Sequence, residues 1–173
     1  MSLTNRIKNR LIAKVITRYP GLAQRFITAY KPWESGETIP WTPITKPLNA
    51  CKLAVVTTSG VHHGEQEPFD MQDSEGDPSF RAINAATISG DYRITHDYYD
   101  HSDAGKDLNI VLPLDRLREL QQEGIIGRLA ATHYSFMGHI DGRHIPTLIG
   151  RTARQVVEKL KQDNVDVVLL TPA

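Results

Sequence analysis

The chain has 173 residues, 40% hydrophobic and 23% charged, a balance that suits one folded domain with its own core and excludes a disordered chain. Lys+Arg and Asp+Glu stand at 20 each, so bulk charge gives no reason to expect a nucleic-acid partner. The single cysteine, Cys51, excludes an internal disulfide framework and fits a reducing, cytoplasmic compartment; charges interrupt every short apolar stretch, so neither a secretory signal nor a membrane span is expected.

Residues 1–30 read as a basic amphipathic helix. Arg6, Lys8, Arg10, Lys14 and Arg18 precede the first acidic residue, Glu34, while Ile7, Leu11, Val15 and Ile16 recur at helical spacing. Such a helix lays its apolar stripe on the core or on a partner subunit; the same pattern also suits a membrane surface or an organelle presequence. Residues 31–50 carry Pro32, Pro40, Pro43 and Pro47 and are expected as an extended arm. The remainder, 51–173, reads as an α/β domain. Lys52–Thr58 is a buried strand closed by Ser59-Gly60, and the acidic stretch 64–78 a loop. Tyr92–His96, Asn109–Leu112 and Leu129–Met137 are predicted strands. Leu114–Glu123, opened by Pro113 and stopped by Gly124, is a helix. Thr152–Gln162 is another, with Ala153, Val156, Val157 and Leu160 on one face, and Asp166–Leu170 is a second buried strand. Apolar strands alternating with helices imply a mainly parallel sheet covered on both faces. No internal repeat interrupts this order.

Open sheets of this kind place their chemistry in loops at the carboxyl ends of the strands. Six of the 7 histidines cluster with carboxylates: His62 and His63 after the first strand, then His96, Asp97, Asp100, His101 and Asp103, then His133 and His139. Imidazole and carboxylate together suit zinc, iron or manganese, which would make a metal-dependent hydrolase, but the spacing matches no established metal motif and these side chains equally pin loops to a sheet. No metal is assigned on this basis. Ser59-Gly60 offers backbone N–H groups to an anion but is not the Gly-x-Ser-x-Gly elbow of serine hydrolases. Cys51 precedes the first strand and reads as a packed small residue rather than a nucleophile.

Several blocks in order carry a resemblance. They are Pro40–Leu48 (PWTPITKPL), Leu53–His62 (LAVVTTSGVH), Glu67–Asp70 (EPFD), Gly76–Arg81 (GDPSFR), His96–Asp100 (HDYYD), Asp107–Leu120 (DLNIVLPLDRLREL), His133–Gly138 (HYSFMG) and Asp163–Pro172 (DNVDVVLLTP). Together they resemble the selenoprotein B family of glycine, betaine, sarcosine and D-proline reductases. The resemblance implies reductive cleavage of a C–N bond in a small amino-acid substrate, by a selenolate or thiolate that a nearby cysteine and a dithiol system regenerate. It implies assembly with other reductase subunits, one of them bearing a pyruvoyl group in the proline branch. In the D-proline type the selenocysteine follows the last strand's Thr-Pro almost at once, whereas this sequence ends at Ala173. The expectation is therefore an N-terminal portion of a longer selenoprotein, inactive alone and without a cofactor of its own; the alternative is a non-catalytic accessory subunit of the same fold. Within the resemblance Ser59, Gly60, His62, Arg81, Asp97 and Asp100 are candidates for binding substrate, with Arg81 on its carboxylate. His96 and His133 are candidates for donating a proton to the leaving amine. A sheet ending in an uncovered strand also leads us to expect oligomerisation or aggregation.

Overall fold

The computed structural model describes residues 3–19, 21, 24, 42–86 and 91–172. Most of the expected proline-rich arm, and the helical reading beyond residue 24, lie outside them.

The sheet is built around β1 (Lys52–Thr57), an apolar β-branched run with neighbours on both edges. On one edge it pairs in parallel with β7 (Val167–Thr171) along its length, from Leu53↔Val167 to Thr57↔Thr171. On the other it pairs in parallel first with β5 (Arg128–Leu129), then with β6 (Thr132–Phe136). The antiparallel β3 (Phe80–Asn84) lies outside β6, so the sheet is mixed but mostly parallel. A separate two-stranded ribbon joins β2 (Val61–His63) to β4 (Tyr92–Ile94).

Alternation along β1 divides the core. Leu53 and Val55 face one layer with Ile83, Tyr92, Leu112 and α2 (Leu114–Gln122), which contributes Leu114 and Leu117. Ala54 faces the other with Tyr134, Phe136 and α3 (Ala153–Gln162), which contributes Val156 and Leu160. The period of two in the strand and of 3.6 in the helices thus delivers the helix-covered sheet that the sequence predicts.

Three local expectations change. Leu129–Met137 is not one strand, because the chain bulges at Ala130-Ala131. Ala130 N–H still donates to Leu53, but the next β1 donor on that edge, Val55 N–H, is received by the His133 ring at Nδ1 (2.9 Å). Asn109–Leu112 is not a strand either. Asp107 accepts from Asn109 N–H and closes a 3-10 turn over Leu108–Ile110, with Pro113 following. Finally, β7 is not buried: Val168, Leu169 and Leu170 are all exposed, since among the described residues β7 pairs with β1 alone.

The amino-terminal helix, α1 (Leu3–Arg18), forms as expected but inverted. Its one buried residue is Ala13; of the apolar stripe expected on the core Ile16 is half-buried, but Ile7 (53% exposed), Leu11 (59%) and Val15 (46%) point outward together with Leu3 (74%). What faces the body is Arg6, Asn9, Ala13 and Ile16, with Arg10 reaching round to Asp97. No described helix is long and apolar enough to cross a membrane.

Candidate functional site

At the carboxyl ends of β1 and β6 the chain makes two tight turns, and a third segment folds down upon them. After β1, Gly60 takes φ +71° and runs so close beneath Thr95 that a methyl group would overlap the Thr95 carbonyl oxygen. After β6, Gly138 takes φ +90° and would collide likewise with the carbonyl oxygen of Thr58. Only glycine combines that backbone hand with that proximity. Between these turns sits the segment from Thr95 to Asp100, held by Thr95 N–H to Gly60 O (2.9 Å) and by the Tyr99 hydroxyl to Ser59 O (3.2 Å).

His96 is the centre of this arrangement. Its Nδ1 accepts the Tyr98 N–H at 3.0 Å, which places the ring proton of the neutral imidazole on Nε2. Nε2 lies 3.4 Å from where a side chain on Gly138 would begin. The ring packs edge-on to Tyr99 at 4.7 Å, and neighbouring Tyr98 stacks on His139 at 3.8 Å. Burial, reinforced by His139 and His101, pushes the His96 pKa down to about 4 against the opposing pull of Asp97. His96 is therefore neutral at physiological pH and presents an N–H as a hydrogen-bond donor; it is not poised to hand over a proton as imidazolium.

Asp97 turns the other way. Its side chain is fully buried and receives Arg6 Nε at 2.5 Å on Oδ2 and Arg10 Nε at 2.6 Å on Oδ1. Burial works to raise this carboxyl, but the hydrogen bonds and charges of the two guanidinium groups outweigh it and hold Asp97 below the usual carboxylate range. A cleft of 610 Å³ opens beside the clamp, between Arg6, Thr95 and the loop from Glu67 to Gln72.

The other candidates sit at varying distance from this centre. His62 is buried one step away, its Nε2 bonded to the Thr95 hydroxyl (2.9 Å) and its Nδ1 to His63 O (2.8 Å); burial lowers its pKa. Its ring meets Phe69 edge-on at 6.3 Å, and the Arg81 guanidinium covers the same Phe69 at 4.4 Å. Arg81 donates to Glu67 O, Pro68 O, Ser79 Oγ and Phe80 O, so it pins the 67–80 loop to β3. Asp100 is half-buried and caps its own turn through Ser102 N–H. Ser59 and Gly60 end β1 as expected, but their N–H groups do not await an anion: Ser59 donates to Thr57 Oγ1 and Gly60 to Phe136 O. His133 lies within the sheet, fully buried, its pKa pushed by desolvation down to about 4; it completes the β1 ladder instead of reaching the turns. Cys51 is buried at the opposite, amino end of β1, near the carbonyls of Lys46 and Pro47.

The expected histidine and carboxylate set does not converge as metal ligands among the described residues. The group close enough to share an ion is Asp73, Glu75 and His144, with ligand atoms within 4.8 Å of one another, and the Arg143 guanidinium already sits on both carboxylates. Sequence reasoning missed Arg6, Arg10, Phe69, Tyr98 and Gly138 as parts of the site. Only Gly138, closing a predicted strand, carried a local signal.

The chain matches the family profile described as glycine/sarcosine/betaine reductase selenoprotein B over residues 4–173. It is 37% identical over 131 residues to the D-proline reductase subunit gamma of Acetoanaerobium sticklandii, covering 76% of this chain and 52% of that protein. It is 29% identical over 164 residues to the glycine reductase complex component B subunit gamma of Symbiobacterium thermophilum, covering 94% of this chain and 37% of that protein. To the sarcosine reductase complex component B subunit beta of Peptoclostridium acidaminophilum it is 30% identical over 169 residues, covering 94% and 36%. The chain thus spans about half the length, or less, of these curated relatives. No solved structure matches it.

Proposed function

The chain belongs to the glycine/sarcosine/betaine reductase selenoprotein B family, and from that premise we propose that it is the amino-terminal portion of a cytoplasmic amino-acid reductase subunit cleaving a C–N bond. The substrate class is glycine, sarcosine, betaine or D-proline, and the 37% identity to the D-proline reductase subunit favours the last. The nucleophile comes from sequence beyond Ala173. When present, a selenolate or thiolate supplies attack on the substrate carbon and a site for reduction by a dithiol.

The observation that carries this reading is where β7 ends. Thr171 O accepts from Thr58 N–H at 3.0 Å, so the segment after Thr171 leaves the sheet beside Ser59 and Gly138, the turns over which His96 lies. A residue following Thr171-Pro172 would enter the space that His96 Nε2–H faces. There the neutral ring donates a hydrogen bond to substrate, and the aromatic packing by Tyr98 and Tyr99 holds the ring in place. Arg6 and Arg10 hold the Asp97 turn down, and with it the aim of His96. Other reductase subunits complete the assembly, with a pyruvoyl-bearing one serving D-proline.

Reading the gene past the Ala173 codon tests the proposal directly. TGA followed by an open frame with a cysteine codon close behind supports it. TAA, TAG or a closed frame overturns it and leaves a non-catalytic accessory subunit. In the complete protein, His96→Ala, which leaves no donor, should lower kcat by about 100- to 1,000-fold, the range for losing one preorganised donor, and unchanged turnover would remove His96 from the site.

A further inference from the structure

The most irregular feature of the molecule is that α1 wears its apolar stripe outward. Leu3, Ile7, Leu11 and Val15 recur every fourth residue on the side facing away from the body. An isolated terminal helix would bury that stripe and leave its arginines in water. Here the reverse orientation is enforced: Arg6 and Arg10 are tied at 2.5 and 2.6 Å to a carboxylate that is itself fully buried, and Ala13 fits against the body. The helix is thus held by its polar face with its apolar face on offer.

Its electrostatics select the occupant. α1 contains Arg6, Lys8, Arg10, Lys14 and Arg18 and no acidic residue. One carboxylate answers two of these guanidinium groups and Lys14 stands near Asp100, so Lys8 and Arg18 border the stripe with no ion pair among the described residues. Two such helices packed stripe to stripe would set like charges together, which argues against a second α1 as the partner. Four aliphatic side chains at four-residue spacing fit the helix-in-groove mode of recognition.

We propose that α1 is a docking element whose Leu3–Ile7–Leu11–Val15 stripe enters an apolar groove with an acidic rim on another subunit of the reductase assembly. This rests on the chain being a reductase subunit. The Arg6–Asp97–Arg10 clamp fixes the orientation of the stripe, so a partner seated on α1 is held in register with the His96 turn that the same clamp secures.

The test uses the full chain and the D-proline reductase of Acetoanaerobium sticklandii purified without its gamma subunit, in titration calorimetry at two ionic strengths. The wild-type chain should bind, and more weakly as salt rises. Leu11→Glu should reduce affinity at least tenfold, and Lys8→Glu should flatten the salt dependence; neither change touches the core or the His96 turn, and circular dichroism with thermal melting confirms that both variants fold. Equal binding by the wild-type chain and Leu11→Glu overturns this inference while leaving the reductase assignment intact. No binding by the wild-type chain overturns this inference, whereas the reductase reading stands or falls separately on the gene sequence past Ala173. Sedimentation with 3:1 phosphatidylcholine–phosphatidylglycerol vesicles that is lost in Leu11→Glu, with subunit binding unchanged, identifies a lipid surface instead. Self-association lost in the same variant identifies a second copy, and either result overturns the inference.

Discussion

Replacing Asp97 by Asn isolates the clamp, because the substitution keeps the shape of the side chain while removing its charge and turning one acceptor oxygen into an NH2 donor that cannot receive an arginine. In the wild-type protein Oδ2 receives Arg6 Nε at 2.5 Å, while Oδ1 receives Arg10 Nε at 2.6 Å and Arg6 Nη2 at 3.4 Å. Hydrogen bonds to charged groups contribute about 1.5–3 kcal/mol each. Here the Arg6 and Arg10 side chains are 30% and 54% exposed and can turn to water once released, so both contacts are discounted and a net loss of about 2–3 kcal/mol is expected. Burial of the Ala13 methyl contributes roughly a further 0.8 kcal/mol. The loss should therefore appear as helix opening, with α1 amides exchanging about 30- to 150-fold faster at roughly 1.4 kcal/mol per decade. Trypsin should cleave α1 faster as well, while amides of β1 and α2 keep their protection. Acidity supplies a second arm. Asp97 has a lowered folded pKa, so its contribution is fully present above the unfolded value of about 3.9 and is lost as pH falls through the folded value. Pepsin should thus begin to release α1 only below about pH 4 in the wild-type protein, and at a pH-independent rate of opening in Asp97→Asn. If α1 exchanges equally in both proteins at pH 7, the clamp does not hold the helix and the account of its inverted orientation fails.

Three further outcomes follow from the same geometry. His133→Ala strands the buried Val55 N–H without an acceptor and opens space in the sheet; we expect a loss of about 3 kcal/mol, read as a lower urea midpoint. Because His96 and His133 are both driven down to about 4 inside the fold, the unfolded chain takes up protons first, and stability should fall as pH drops from 6.5 towards 4, where the effect levels off. Urea titrations at pH 7, 5.5 and 4.5 measure this, and His133→Phe should show a shallower decline. Gly138→Ala places a methyl group on the Thr58 carbonyl at an unfavourable φ; it should lower Tm and displace the His96 ring, visible as a moved imidazole resonance, whereas Gly150→Ala, with open space around it, should do neither.

Much of the architecture was legible from periodicity. Lys52–Thr57, Leu114–Gln122 and Ala153–Gln162 all fall where apolar spacing and the Pro113 and Gly124 punctuation put them. Short strands were the weak point. Phe80–Asn84 alternates too little to announce itself and owes its existence to pairing with β6, a partner about 50 residues on. Asn109–Leu112 has strand composition, but the Asp107 side chain captures its first amide and a turn wins. The cluster at His96 and Asp97 was legible as chemistry, yet what each residue does was not. The spacing shows two adjacent polar residues; only the fold shows that one faces the turns and the other is clamped by arginines 91 and 87 positions earlier. His133 illustrates the converse, since a histidine in an apolar strand looks functional until its ring is found replacing a backbone acceptor.

The placement of β1 also bears on how the protein comes into being during synthesis. This strand is made early, but its parallel neighbours come much later in the chain: Thr57 and Thr171, in register on β1 and β7, are 114 residues apart. Closing such long loops before any ladder forms is entropically costly, and topologies of this kind fold slowly. While the ribosome is still producing α2 and α3, Val55 and its apolar neighbours have no finished sheet to enter. The nascent chain therefore carries an exposed aggregation-prone strand until β7 emerges, and yield in a heterologous host should depend more on chaperone supply and temperature than on the stability of the finished fold.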